Sequence, residues 1–242
     1  MRVFAIGDIH GGLKALIQLL NKLKVTEQDT LIFLGDYVDG WGEAAETVQF
    51  LINLSKKIHC IFIKGNHDAL CQHWLRTGEV NPVWFMHGGK QTMDSYAAFS
   101  IADKKTHLNF FENLPMYYID TENRLFVHAG FTSTHGVLKE KFKETLYLDR
   151  TLWELALALD VSINKQAITY PKRLLHYTEI YIGHTPTTNV NESVPMQRAN
   201  VWNVDTGAAF KGKVSAINIE TKEVVQSDTL PSLYPNEKGR NP

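Results

Sequence analysis

The sequence predicts an α/β protein in which two stacked, mixed β-sheets are flanked by helices. Three observations lead there. Short apolar runs alternate with amphipathic helical stretches through the first third of the chain, the pattern of strand–helix units on a largely parallel sheet. Five of those runs end abruptly on glycine and polar residues, as buried strands do. After Gly183 the chain turns strand-rich, which calls for a second sheet.

The elements follow in order. Val3-Phe4-Ala5-Ile6 reads as a strand leaving through Gly7-Asp8-Ile9-His10-Gly11. Leu13, Leu16, Ile17, Leu20 and Leu23 then repeat at helical spacing up to Lys24. A strand over 31–34 exits through Gly35-Asp36-Tyr37-Val38-Asp39-Gly40, and Val48, Leu51, Ile52 and Leu54 make the apolar stripe of a helix over 43–57. A third strand, 60–63, leads through Lys64-Gly65-Asn66-His67-Asp68 into a shorter helix. Residues 74–114 are looser, with a turn at Asn81-Pro82, aromatic Trp84 and Phe85, the Gly88-Gly89 pair and two modest helical stretches. Leu125-Phe126-Val127 runs into His128-Ala129-Gly130, and Ile180-Tyr181-Ile182 into Gly183-His184-Thr185. Between them, 131–176 is irregular apart from a helix over 150–159. The runs 201–204, 214–219 and 224–226 read as antiparallel strands, the last two joined by a turn at 220–222. With no internal repeat and no linker, residues 1–230 read as a single domain. The segments 74–114 and 131–176 are expected to cap the substrate side, and the polar tail 231–242, with its three prolines, is expected to fray.

Composition narrows the function classes. The chain has 242 residues, 44% hydrophobic and 21% charged, with a net charge of −1, so there is no electrostatic case for a nucleic-acid or membrane-surface partner. No apolar stretch approaches the roughly 20 residues that span a bilayer. Met1 leads almost at once into the first strand, leaving no room for a signal segment. Cys60 and Cys71 form no CxxC pair and read as idle thiols. Together these features predict a cytoplasmic protein; nothing fixes its oligomeric state.

The strand ends carry the chemistry. Asp8, His10, Asp36, Asn66, His128 and His184 are all oxygen or imidazole donors, without a thiolate among them. That mix suits Mn²⁺, Fe²⁺ or Zn²⁺ and argues against a structural zinc site. Six donors exceed one tetrahedral site but divide between two metals if one carboxylate bridges. Paired ions about 3.5–4 Å apart serve in-line displacement at phosphorus. The residues therefore point to a two-metal phosphoesterase.

Taken in order, Gly7-Asp8-Ile9-His10-Gly11, Gly35-Asp36-Tyr37-Val38-Asp39-Gly40, Gly65-Asn66-His67-Asp68, His128-Ala129-Gly130 and Gly183-His184-Thr185 resemble the calcineurin-like metallophosphoesterases. Within that family they look most like the phosphoprotein phosphatase branch and its compact bacterial members. The resemblance spans residues 7–185 and implies the family's αββα sandwich. It assigns Asp8, His10 and Asp36 to a first metal and Asn66, His128 and His184 to a second, with Asp36 bridging and Mn²⁺ expected. It implies attack by a metal-bridging hydroxide, with His67 as the general acid that protonates the leaving group and Asp39 as the carboxylate that orients it.

There are departures from the family pattern. The arginine that usually follows the second Asp, gripping a phosphate oxygen, is replaced by Gly40, followed by Trp41-Gly42. Lys64 and Asp68 stand where many relatives carry Arg and Glu. Arg150, in the interval where the family places a phosphate-binding arginine, is the expected substitute. The remaining histidines, His59, His73, His87, His107, His135 and His176, read as structural or surface residues. Asp68 reads as a helix cap, and Trp84 and Phe85 as packing.

The reading that follows is metal-dependent hydrolysis of phosphate monoesters by a serine/threonine, or tyrosine, protein phosphatase. The alternative is a dinucleoside polyphosphate hydrolase or another small-molecule phosphoesterase. A non-catalytic metal-binding scaffold would show eroded ligands, and here every ligand position is filled.

Overall fold

The structure is a computed structural model and describes residues 2–241; Met1, expected to lead into the first strand, and Pro242, the end of the expected frayed tail, lie outside the described residues. Among the described residues, ten strands form two five-stranded sheets. In the first, β1 (Val3–Ile6), β2 (Thr30–Phe33) and β3 (His59–Phe62) run parallel, while β9 (Ser215–Asn218) and β10 (Val224–Gln226) extend the β1 side antiparallel. In the second, β5 (Leu125–Val127), β6 (Ile180–Ile182) and β8 (Val201–Asn203) run parallel, edged by antiparallel β4 (Tyr117–Ile119) and β7 (Met196–Arg198).

The helices cover the outer faces because their apolar stripes match those faces. On the first sheet lie α1 (Leu13–Leu23), α2 (Ala44–Leu54), α3 (Asn66–Thr77) and α4 (Ile101–Glu112), and their buried Leu16, Leu19, Val48 and Phe111 pack with Phe4, Leu31 and Phe33. On the second, α5 (Thr151–Ala158) contributes Leu152, Trp153 and Ala156 to a core with Val127, Ile180 and Val201. Between the sheets, Ala5, Ile32, Leu34, Ile63, Phe126, Tyr181, Val204 and Ile217 form a third apolar layer. Phe126 stacks on Tyr181 there at 4.9 Å. Each fully buried side chain of this kind contributes about 1.5–3 kcal/mol. The sheets are thus pinned together just beneath their common upper edge, where the site lies.

Four expectations change. The helix after His67 is not short: α3 runs twelve residues. The edge strands β4 and β7 are additions to the expected set. β8 is not simply antiparallel; it runs parallel to β6 and antiparallel only to β7. The tail does not fray over 231–241. Leu230 and Tyr234 are buried, and the Tyr234 ring stacks on Trp41 at 5.2 Å. Among the described residues, no helix is long and apolar enough to cross a membrane.

Candidate metal centre

In a parallel sheet all strands finish on the same edge, and here each sheet has three such strands. From the first sheet come Asp8 and His10 after β1, Asp36 after β2 and Asn66 after β3; from the second come His128 after β5 and His184 after β6. The turns that aim these residues are sharp. His10, Asp36, Asp39 and His184 all hold left-handed backbone, with φ of 52°, 54°, 70° and 69°. Asp and His tolerate that region better than most side chains, and such strain gathers at functional sites. Gly65 is required for a different reason: a Cβ there would lie 2.1 Å from Asp36 Oδ1.

The donors converge in two groups that share one member. Ligand atoms of His10, Asp36 and His67 lie within 4.8 Å of one another, as do those of Asp36, His128 and His184. Asp8 reaches the first group through its Oδ2, 3.7 Å from His10 Nε2. Asn66 Oδ1 joins the second, 2.8 Å from His184 Nδ1 and 3.2 Å from His128 Nε2. Backbone carbonyls orient the rings from behind. His128 Nδ1 donates to Leu34 O at 2.8 Å and His10 Nδ1 to Asp39 O at 2.8 Å, so each Nε2 faces the centre. Metal-binding histidines are fixed in this way.

The electrostatics are those of a site short of positive charge. Burial alone would push the Asp36 carboxyl up, but His128, His67 and His10 hold it well below the usual range. His128, although burial disfavours its charge, is raised to about 10 by Asp36. Asp205 is pushed up to about 8 by burial and then by Asp8. His184 falls to about 2 through burial and the neighbouring His128, and its buried Nε2 has no hydrogen-bond partner. A crowd of buried carboxylates among imidazoles, with donor atoms gathered within 4.8 Å in two groups that share Asp36, fits a pair of divalent cations.

His67 is held differently from the other imidazoles. Its Nδ1 is 2.6 Å from Asp39 Oδ2. Trp84 Nε1 donates to the same oxygen at 2.6 Å, and Thr92 Oγ1 donates to Asp39 Oδ1 at 2.6 Å. Trp84 is therefore more than packing: it and Thr92 fix the carboxylate that fixes the ring. On the other side, Arg240 Nη1 donates to His67 Nε2 at 2.9 Å.

Asp68 goes beyond the helix cap expected of it. It accepts the Gly65 amide at the start of α3 (2.8 Å), and also the amides of Asp36 and Tyr37 (both 2.9 Å). It thereby ties the β2 and β3 loops together. Lys64 points away from the centre, donating to Gln72 Oε1 at 2.7 Å. Arg150 lines the recess over the centre, its exposed guanidinium donating to Thr185 Oγ1 at 3.0 Å. His87 donates to Val83 O on the surface, and His107 is buried between Tyr96 and Gln49.

Sequence reasoning missed two residues in this recess, Asp205 and Arg240. Asp205 follows β8 as the other ligand-type residues follow their strands, in Val204-Asp205-Thr206-Gly207. The same strand-exit pattern would have found it, had β8 been read as parallel. Arg240 had no local signal. The recess holds about 200 Å³. A larger apolar groove of about 600 Å³ lies between α2, β3 and α4, and no His or Asp lines it, so the chemistry is not there.

The model of the calcineurin-like phosphoesterase family matches residues 1–206. A bis(5′-nucleosyl)-tetraphosphatase PrpE [asymmetrical] of Oceanobacillus iheyensis is 26% identical over 239 residues, covering 93% of this chain and 91% of that protein. Among solved structures, a putative diadenosine tetraphosphatase superposes with a TM-score of 0.63 at 17% identity, covering 93% of this chain and 92% of that one. A protein serine/threonine phosphatase from Saccharomyces cerevisiae superposes with a TM-score of 0.61 at 15% identity, covering 94% and 80%. At such identities these structural likenesses speak for the fold alone.

Proposed function

The chain belongs to the calcineurin-like phosphoesterase family and is a metal-dependent phosphoesterase, and from that premise we propose that it hydrolyses dinucleoside polyphosphates. The observation that carries this reading is the recess itself, which is lined by two arginines, Arg150 and Arg240, beside the metal-type donors. Each guanidinium can take two phosphate oxygens, so the pair can hold neighbouring phosphates of a chain. The tetraphosphatase of Oceanobacillus, similar over nearly the full length of both chains, supports the same substrate class. The protein-phosphatase reading rests on motifs and a fold that are shared with that branch, and neither sets the substrate.

Asp8, His10 and Asp36 would hold one cation, and Asn66, His128 and His184 the other, with Asp36 shared. When bound, the cations, with Mn²⁺ the expected ion and Fe or Zn the alternatives, would neutralise phosphoryl charge and lower the pKa of the attacking water. The rest falls to the chain. His67 hands a proton to the departing oxygen from Nε2, and Asp39, itself held by Trp84 and Thr92, aligns the ring through Nδ1. Although His67 belongs to a tight donor group, both its nitrogens are engaged by Asp39 and Arg240. We therefore assign it proton transfer and leave the first cation to Asp8. Arg150 steadies a phosphate at the mouth of the recess.

The direct test is a turnover panel with added Mn²⁺ over p-nitrophenyl phosphate, phosphopeptides and diadenosine tetraphosphate. The dinucleotide is expected to exceed the phosphopeptides by about tenfold or more in kcat/KM. The reverse order would return the protein to the phosphatase reading, and no turnover of any substrate would favour a binding scaffold. Arg150→Ala is expected to raise KM about three- to tenfold, the loss of one exposed charge-assisted hydrogen bond, with bound metal unchanged. Unaltered kinetics would remove Arg150 from the site.

A further inference from the structure

We propose that Arg240 is the anion-gripping residue on the departing side of this site and that it favours substrates whose leaving group is itself a phosphate. The proposal rests on the function proposed above and deepens it.

Several features of the tail make this placement specific. The C-terminal segment is anchored on the Gly40-Trp41-Gly42 loop, the place where the sequence departs from its family. The Gly42 amide donates to Glu237 Oε2 at 2.7 Å, Trp41 stacks on Tyr234, and the Arg240 amide donates to Ala209 O at 2.8 Å. Gly40 has φ of 140°, and a Cβ there would lie 3.6 Å from Arg240 Cγ and 3.1 Å from His10 O. A side chain at position 40 would thus begin in van der Waals contact with the stem of Arg240. The residue missing from the second motif is matched by one arriving from the far end of the chain.

The guanidinium is poised for an anion. It lies over the Phe210 ring, 5.4 Å from its centroid, and its buried Nε has no hydrogen-bond partner. Among the described residues no carboxylate lies within 4.0 Å of it; its polar side-chain contact is the imidazole nitrogen of His67. No carboxylate pairs with it directly, although Asp36 and Asp205 line the same recess, and a phosphate can take the guanidinium in a bidentate grip that one imidazole nitrogen cannot offer.

The contact with His67 Nε2 also sets which phosphate is gripped. That atom is the one assigned to the departing oxygen, so a group bound to Arg240 sits on the leaving side. A departing nucleotide presents phosphate oxygens there, whereas an alcohol or a nitrophenol presents none. Binding such a substrate draws the guanidinium off Nε2, freeing that nitrogen to take up a proton from solvent and pass it to the leaving oxygen.

The test compares the wild-type protein with Arg240→Ala and Arg240→Lys, all loaded with Mn²⁺. Kinetics on diadenosine tetraphosphate and p-nitrophenyl phosphate are run beside calorimetric titration with the non-hydrolysable adenosine 5′-(β,γ-methylene)triphosphate. Arg240→Ala is expected to lower kcat/KM for the tetraphosphate at least about tenfold and that for p-nitrophenyl phosphate less than about threefold. Analogue affinity should fall about tenfold with metal content unchanged, and Arg240→Lys should recover part of both losses. Equal losses on the two substrates, no loss, or faster turnover would each overturn the proposal; the last would make Arg240 a plug on His67. If the wild type hydrolyses neither substrate, the proposed function fails, and the titration still decides whether Arg240 grips polyphosphate.

Discussion

Asp36→Asn is expected to abolish tight metal binding and to lower turnover by well over about 100-fold, the upper end of what supporting residues around metal sites cost. Asp36 is the member common to both donor groups. Its Oδ2 lies 3.3 Å from His128 Nε2 and 3.7 Å from His10 Nε2, while its Oδ1 accepts the His67 amide at 2.9 Å. Asparagine keeps the size, and its carbonyl oxygen can still take the amide, so the β2 loop should stay folded. What is lost is the charge around which two imidazole groups are arranged. The measurement is metal content of the purified variant by elemental analysis, together with its melting temperature. A variant retaining two equivalents of metal and near-normal turnover would show that Asp36 does not bridge.

For His67→Asn we expect the opposite split. Bound metal should stay, while kcat falls by about 100- to 10,000-fold on substrates with poor leaving groups, the range of a lost general acid. The fall should be much smaller on p-nitrophenyl phosphate, whose leaving group departs without a proton. The expectation comes from how the ring is held, with Nδ1 on Asp39 and Asp39 braced by Trp84 and Thr92. If His67 were instead a ligand, as its place in the first donor group would allow, the variant would lose metal along with activity. Comparing metal content with the leaving-group dependence therefore separates proton transfer from coordination.

How far the site was legible depended on how local each signal is. Asp8, His10, Asp36, Asn66, His128 and His184 each directly follow an apolar strand and a turn, so pattern alone singles them out. Asp205 obeys the same rule yet escaped notice, because a short strand in a β-rich region carries nothing in its own residues that tells parallel from antiparallel pairing. That information lies in its neighbours β6 and β7. Trp84 and Thr92 sit in an irregular stretch, where an indole or hydroxyl reads as packing until a carboxylate is found beside it. Asp68 was legible as a cap, because its bond to Gly65 lies within its own loop; its bonds to Asp36 and Tyr37 come from another strand end. Arg150, expected to replace the missing arginine, does line the recess, but on the Thr185 side, whereas Arg240 takes the place beside His67.

By itself, then, the sequence determined the alternation of strands and helices, the donor types at the strand exits and their order. Each of these is written within a few residues, through hydrophobic period, turn glycines and side-chain chemistry. Only the tertiary structure decided that Asp205 joins the carboxylates, that Trp84 and Thr92 brace Asp39, and that the tail returns to set Arg240 on His67. Those outcomes depend on which surfaces bury one another, Trp41 against Tyr234 and one sheet against the other. Burial of apolar area has no direction along the chain, so no local pattern announces it.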